Sequence, residues 1–228
     1  TQVNAGTLIA ANATALGGTA TGTTVASGAT LRVSNAAIGN ENVTISGNGV
    51  SNAGALTGAG TASLAGNVTL AAASRIGTTN AASSLTLGGT VNGAFALTPV
   101  GAGTVALNGV VGGTTPLASL SQGATVPLRI GTNSVTTTGA QAYVGPLTLA
   151  SDVTLRSTAN GAITLANVTG AGFDINAMTG GATTLNNLSG VDAVTTDAPG
   201  SVTLNGNVLA STVTIGEAAP SVCGQVGN

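Results

Sequence analysis

The chain writes one short phrase four times: ASLAGNVTLAA (residues 62–72), SLTLGGTVNGA (84–94), GTVALNGVVGG (103–113) and GSVTLNGNVLA (200–210). Each copy is a β-branched and leucine run, a break at Gly, Gly-Gly or Asn-Gly, and a second run. A phrase recurring at a regular interval must fold into a repeated unit, so the repeat constrains the fold before composition does. The apolar residues that close the runs are Ile45, Leu70, Leu87, Leu107, Ile130, Leu149, Leu165, Leu185 and Leu204. Their spacing is roughly 16 to 25 residues, about 20 on average, which lies in the range of solenoids. Within a run, apolar residues alternate with Thr, Ser or Asn, the period of a strand with one buried face. Helix is disfavoured, because Gly recurs every few residues and Thr and Val are poor helix formers.

Short strands every twenty residues suit an antiparallel sandwich or barrel, or a β-solenoid. The Asn-Gly steps are compatible with both, since they also form hairpin turns. Three features favour the solenoid. Only Phe95, Phe173 and Tyr143 are aromatic, too few for a sandwich core but enough for a narrow coil of Val, Leu, Ile and Ala. The phrases are similar, as stacked rungs require. Asn92-Gly93, Asn108-Gly109, Gly112-Gly113 and Asn205-Gly206 supply residues able to take positive φ at sharp corners. Each phrase is read as one rung, pairing with the copies above and below. Leu107, Leu149, Leu165 and Leu204 are expected to point inward in one column. About eleven rungs would make a rod on the order of 50 Å long. The expected fold is an all-β parallel β-helix spanning residues 1–228 as a single segment.

The charge pattern agrees with stacking. Only 4% of the residues are charged, while Thr alone contributes 38. Equivalent side chains on neighbouring rungs lie about 4.8 Å apart. Like charges in such a column repel, whereas Thr, Ser and Asn hydrogen-bond along it.

The opening VNAGTLIAANATALGG, continuing to TTVASGATLRV (residues 3–33), resembles the autotransporter-associated β-strand repeat. The matching positions are Val3, Gly6, Leu8, Asn12, Ala15, Leu16 and Gly17, then Thr24, Val25, Gly28 and Leu31. TVNGAFALTPVGAGTVALNGVVGGTTPLASL (90–120) and TTTGAQAYVGPLTLASDVTL (136–155) are similar to repeats of filamentous-haemagglutinin-like secreted proteins. The resemblance implies a right-handed parallel β-helix in an exported surface passenger of a Gram-negative bacterium. It supplies no catalytic residues to carry over. The chain has no translocator barrel or signal peptide, so it is expected to be a segment of something longer.

The sequence offers few tools for chemistry. There is no His, which removes imidazole bases and histidine metal ligands. The acids are Glu41, Asp152, Asp174, Asp192, Asp197 and Glu217, and SGVDAVTTDAPG (189–200) around Asp192 and Asp197 reads as a loop. Arg32, Arg75, Arg129 and Arg156 are scattered rather than paired with acids on one face. No Gly-Gly-x-Gly-x-Asp calcium repeat occurs. Cys223 stands alone and reads as an incidental thiol. The chain is therefore expected not to be an enzyme, with no catalytic, cofactor or metal residues and no cofactor. With net charge −2 and no basic cluster, nucleic acid is a poor partner, and no run is apolar enough to insert as a membrane helix. Thr-x-Thr steps at 19–21, 21–23, 136–138 and 212–214 could suggest ice binding, but they do not recur at rung spacing and read as strand-favouring Thr. Five Asn-x-Ser/Thr triplets, at Asn12, Asn42, Asn67, Asn167 and Asn187, match chance occurrence.

The expected role is a stalk, filament or adhesive fibre on the outer cell surface, serving attachment and biofilm. The alternative is a binding module that uses one face for glycan, host receptor or ice, marked by a non-repeated patch near Tyr143 and Phe173. Neither end of the chain reads as a solenoid cap, so self-association end to end is expected.

Overall fold

The computed structural model describes residues 1–197 and 200–216. The expectations for Cys223 and Glu217 lie outside them. The strands build a parallel β-solenoid of about 10 turns with about 21 residues per turn, 56% strand and 1% helix. Three ladders run along it, and every pairing in them is parallel. The first face begins with Gln2–Val3, Thr23–Val25 and Val43–Gly47 and passes through Val68, Val91, Val111 and Val135 to Val153–Ser157 and Ile175–Thr179. The second runs from Thr7–Ala10 and Thr30–Ser34 through Ala96–Val100 and Ser119–Gln122 to Val202–Leu204. The third begins at Ala37–Ile38 and continues through Thr61–Leu64, Ser84–Leu87, Thr104–Leu107 and Leu128–Ile130. Because no strand among the described residues pairs antiparallel, the Asn-Gly steps there are corners between faces and not hairpins.

The three-sided coil corrects the expected rung. Ser84–Leu87 and Val91–Asn92 belong to different ladders, so SLTLGGTVNGA is one corner with its two flanking strands, a part of a coil only. GSVTLNGNVLA turns a different corner, since Val202–Leu204 sits on the second face and Val208 on the third. The expected single column of leucines likewise divides. Leu87, Leu107, Ile130 and Leu149 stack on the third face. Leu165, Leu185 and Leu204 stack on the second, above Tyr143. Leu107, Leu149 and Leu165 are buried, but Leu204 is 50% exposed. Leu204 points inward from the last described coil, and no described coil lies over it.

Inside, the columns are aliphatic and continuous. Ala62, Leu85, Val105, Leu128, Leu147, Val168 and Leu188 succeed one another on the third face, all buried. Strand alternation puts Val or Leu inward and Thr, Ser or Asn outward, and stacking repeats that choice at each coil.

Glycine serves two purposes at the corners. Gly93 (φ 135°) and Gly112 (φ 70°) occupy the expected left-handed region. Gly109, Gly113 and Gly206 do not. At Gly109 the need is space. A Cβ there would run into the carbonyl of Gly89, one at Gly89 into the carbonyl of Gly66, and one at Gly66 into the carbonyl of Glu41. Successive coils thus touch backbone to backbone along this corner.

Candidate functional site

The chemistry-bearing residues are spread along the solenoid, and most of them hold one coil to the next. An Asx residue stands immediately before the β-branched residue that opens the first face: Asn42-Val43, Asn67-Val68, Asp152-Val153 and Asp174-Ile175. Its side-chain oxygen accepts from the backbone of the following coil. Asn42 Oδ1 accepts from Asn67 N at 3.0 Å, and Asn67 Oδ1 accepts from Thr90 N at 2.9 Å. Asp152 Oδ1 accepts from Asp174 N at 3.0 Å, and Asp174 Oδ1 from Ala193 N at 2.9 Å. Corner N–H groups that no strand can satisfy are thereby paired, which a solvent-excluded backbone requires. The signal was present in the sequence as an Asx-Val/Ile step at coil spacing, but is visible only once the first face is known.

The remaining acids do not converge. Asp192 lies inside the strand Thr183–Thr196, which corrects the loop expected there: this strand wraps the second, third and first faces in turn without a break. Asp197 follows it and accepts from Thr179 N at 3.0 Å. Glu41 is buried at a corner, where Oε1 accepts from the Thr23 hydroxyl at 2.7 Å. Among the four arginines, Arg32 and Arg75 stand on the second face, Arg129 on the third and Arg156 on the first. No group of three or more His, Cys, Asp or Glu residues able to hold a metal occurs among the described residues. Likewise, no helix among them is long and apolar enough to cross a membrane.

The outer surface carries two recurring polar features, Thr columns and Asn-x-Ser/Thr triplets. Outward Thr columns do recur at coil spacing, as at Thr164, Thr184 and Thr203. The Thr-x-Thr steps do not: Thr136 pairs with Arg156, and Arg156 in turn with Met178, which breaks any two-dimensional hydroxyl lattice on that face. Four of the five Asn-x-Ser/Thr triplets stack in register as pairs, Asn42 to Thr44 beneath Asn67 to Thr69, and Asn167 to Thr169 beneath Asn187 to Ser189. Alternation produces them, by placing Asn and Thr outward around an inward Val or Leu.

The aromatic patch is not a surface. Tyr143 is completely buried, its hydroxyl donating to Gln141 Oε1 at 2.8 Å, and Phe173 packs partly buried against the core. Phe95 is exposed at a corner on its own. Two open grooves lie on the surface, one beside Asn133, Asp152, Asp174 and Asn176, the other beside Pro146, Asn167 and Asn187.

Burial pushes the Tyr143 phenol far above its ordinary value of 10.0, because the phenolate would be desolvated. The unfolded chain releases this proton near its ordinary value while the folded chain keeps it. Stability from Tyr143 is therefore complete below about pH 10 and lost as pH rises further. Tyr143 is the chain's one tyrosine and there is no tryptophan, so absorbance at alkaline pH reports it cleanly. Phenolate absorbance is expected to appear together with loss of the strand signal by circular dichroism. Ionisation near pH 10 in the folded protein would show the hydroxyl to be open to water.

No protein-family model, curated protein or solved structure matches the chain.

Proposed function

We propose that this chain is a structural rod, a β-solenoid segment of a secreted surface protein of a Gram-negative bacterium that serves as stalk or adhesive fibre in attachment. The observation that carries the reading is the continuous, largely aliphatic interior, from Val25 and Ile45 near one end to Leu185 and Val194 near the other, with all three ladders running around it. About 10 turns at about 4.8 Å each give a rod about 48 Å long. The ladder hydrogen bonds run along the axis, so a pull along the rod loads all three ladders at every coil. Low charge lets the coils stack without repulsion, and strand backbone turned inward offers little to proteases. Gram-negative export rests on the sequence resemblance at residues 3–33, 90–120 and 136–155.

The test is binding by the chain itself. A glycan array and a cell-adhesion assay with residues 1–228 are expected to give no saturable signal for a specific ligand. A saturable ligand, lost when the outward residues of one face are replaced, would replace the rod with a binding module.

Self-association along the axis belongs to the same reading. In the first coil Val3, Ala10 and Leu16 are buried, whereas in the last described coil Leu209 is 65% and Ile215 56% exposed. Association is expected head to tail, this end of one copy against the first coil of the next. Analytical ultracentrifugation should show elongated oligomers that grow with concentration. A sharp monomer at high concentration would remove self-association from the proposal.

A further inference from the structure

Repetition creates a register problem. A strand that slips by one residue turns its apolar side chains outward, but a slip of two keeps them inside. In most coils the inward side chains are interchangeable Val, Leu and Ile, so a two-residue slip exchanges one aliphatic contact for another. Gly-rich, polar-faced strands specify register weakly for this reason.

Among the smaller buried Thr and Ser residues of the core stands one cluster of larger polar side chains. On the second face, Leu120 pairs with Gln141 and Gln122 with Tyr143, and the two glutamines and the tyrosine are buried in two neighbouring columns. Their hydrogen bonds reach three successive coils. Tyr143 donates to Gln141 Oε1 at 2.8 Å. Gln141 Nε2 is shared among the Val135 carbonyl at 3.2 Å, Thr137 Oγ1 at 3.2 Å and, one coil on, the Arg156 carbonyl at 2.8 Å. Gln122 Nε2 donates to the Val126 carbonyl at 2.5 Å and, one coil on, to the Pro146 carbonyl at 2.9 Å. The strand Gln141–Leu149 shifts register between Tyr143 and Pro146, where a Cβ on Gly145 would meet the Gly123 carbonyl at 2.5 Å and Gln122 Nε2 at 2.9 Å.

We infer that the Gln122–Gln141–Tyr143 cluster is a register lock, a conformational device that permits one alignment of the coils between about residues 119 and 169. A two-residue slip between coils carries Gln141 away from the Arg156 carbonyl and Gln122 away from the Pro146 carbonyl, leaving their amide groups buried without those partners, while Tyr143, on the same strand as Gln141, holds the Gln141 oxygen and so orients its amide. The aliphatic columns impose no such penalty. The cluster thus acts mainly against wrong alignments. Replacing it by apolar groups of similar volume should keep the fold and lose its uniqueness, as buried polar groups do where they set register.

Disulfide trapping reads the register directly. Ala142 and Thr164 are outward partners across adjacent coils. In a Cys223→Ser background, Ala142→Cys with Thr164→Cys reports the native alignment, and Ala142→Cys with Ala166→Cys reports the slipped one. Adjacent-strand Cα spacing permits a disulfide, and a further two-residue offset does not. In the parent, the aligned pair should cross-link and the offset pair should not. With Gln141→Leu and Tyr143→Phe together, the offset product should rise about tenfold relative to the aligned one, with the strand signal retained. Tyr143→Phe alone, a milder change, should raise it in the same direction. A ratio unchanged in both variants, while they remain folded, would overturn the proposal and give register to the corners. Failure of the double variant to fold would overturn it too, because the cluster would then be needed for stability.

Discussion

Leu165→Asp is expected to cost about 4 kcal/mol or more, because a buried leucine is lost and an unpaired carboxylate takes its place. Leu165 is fully buried between Tyr143 below and Leu185 above. For a chain of this size the change lowers Tm by about 10 °C or more. The damage should also have a location. Coils contact mainly their neighbours, so stability is close to a sum over coils and their interfaces. Hydrogen exchange is expected to accelerate first around residues 141–188 and to leave both ends protected. Leu165→Ile, which keeps the volume, should cost under about 1.5 kcal/mol. A Leu165→Asp protein that melts like the parent would show that the second-face column is not a core.

The other large effect is predicted at a glycine. Gly89→Val is expected to destabilise by about 3 kcal/mol, at the upper end of the ordinary overpacking range, because the clash is with backbone. A Cβ at Gly89 meets the Gly66 carbonyl, and the Gly88 N–H next to it donates to the Leu64 carbonyl at 2.8 Å. Neither group can move without parting the coils. Gly39 serves as the comparison, since it has open space around its Cβ position and no left-handed φ. Gly39→Ala is expected to stabilise by about 0.4–1 kcal/mol by restricting the unfolded chain. Equal effects of the two substitutions on thermal or urea melting would show that coil contact does not select glycine at position 89.

The two outcomes depend on information of different kinds. Strand character, a repeat of about 20 residues and an aliphatic interior were legible in the sequence, because alternation and composition act locally. The same alternation hid the faces. Leu149 and Leu165 each close a Val-Thr-Leu-like run, yet one belongs to the third face and the other to the second. All three faces obey one inward–outward rule, so the pattern states which way a side chain points and not which ladder it joins. Corner length decides that, and corners become countable only when strands are paired. Asp192 was misplaced for the same reason: its polar surroundings suit a loop or the outer side of a strand equally well.

Tyr143 marks the boundary most sharply. A lone tyrosine in a chain otherwise poor in aromatics reads as a surface patch. The fold buries it because Gln141, two residues earlier and inward on the same strand, accepts from its hydroxyl at 2.8 Å. Gln141 is itself held by carbonyls from two coils. By itself, the sequence determined that this chain would stack strands around a narrow aliphatic column. Only the tertiary structure decided which side chains share that column, because hydrogen-bond partners some 20 residues apart become neighbours when the coil closes.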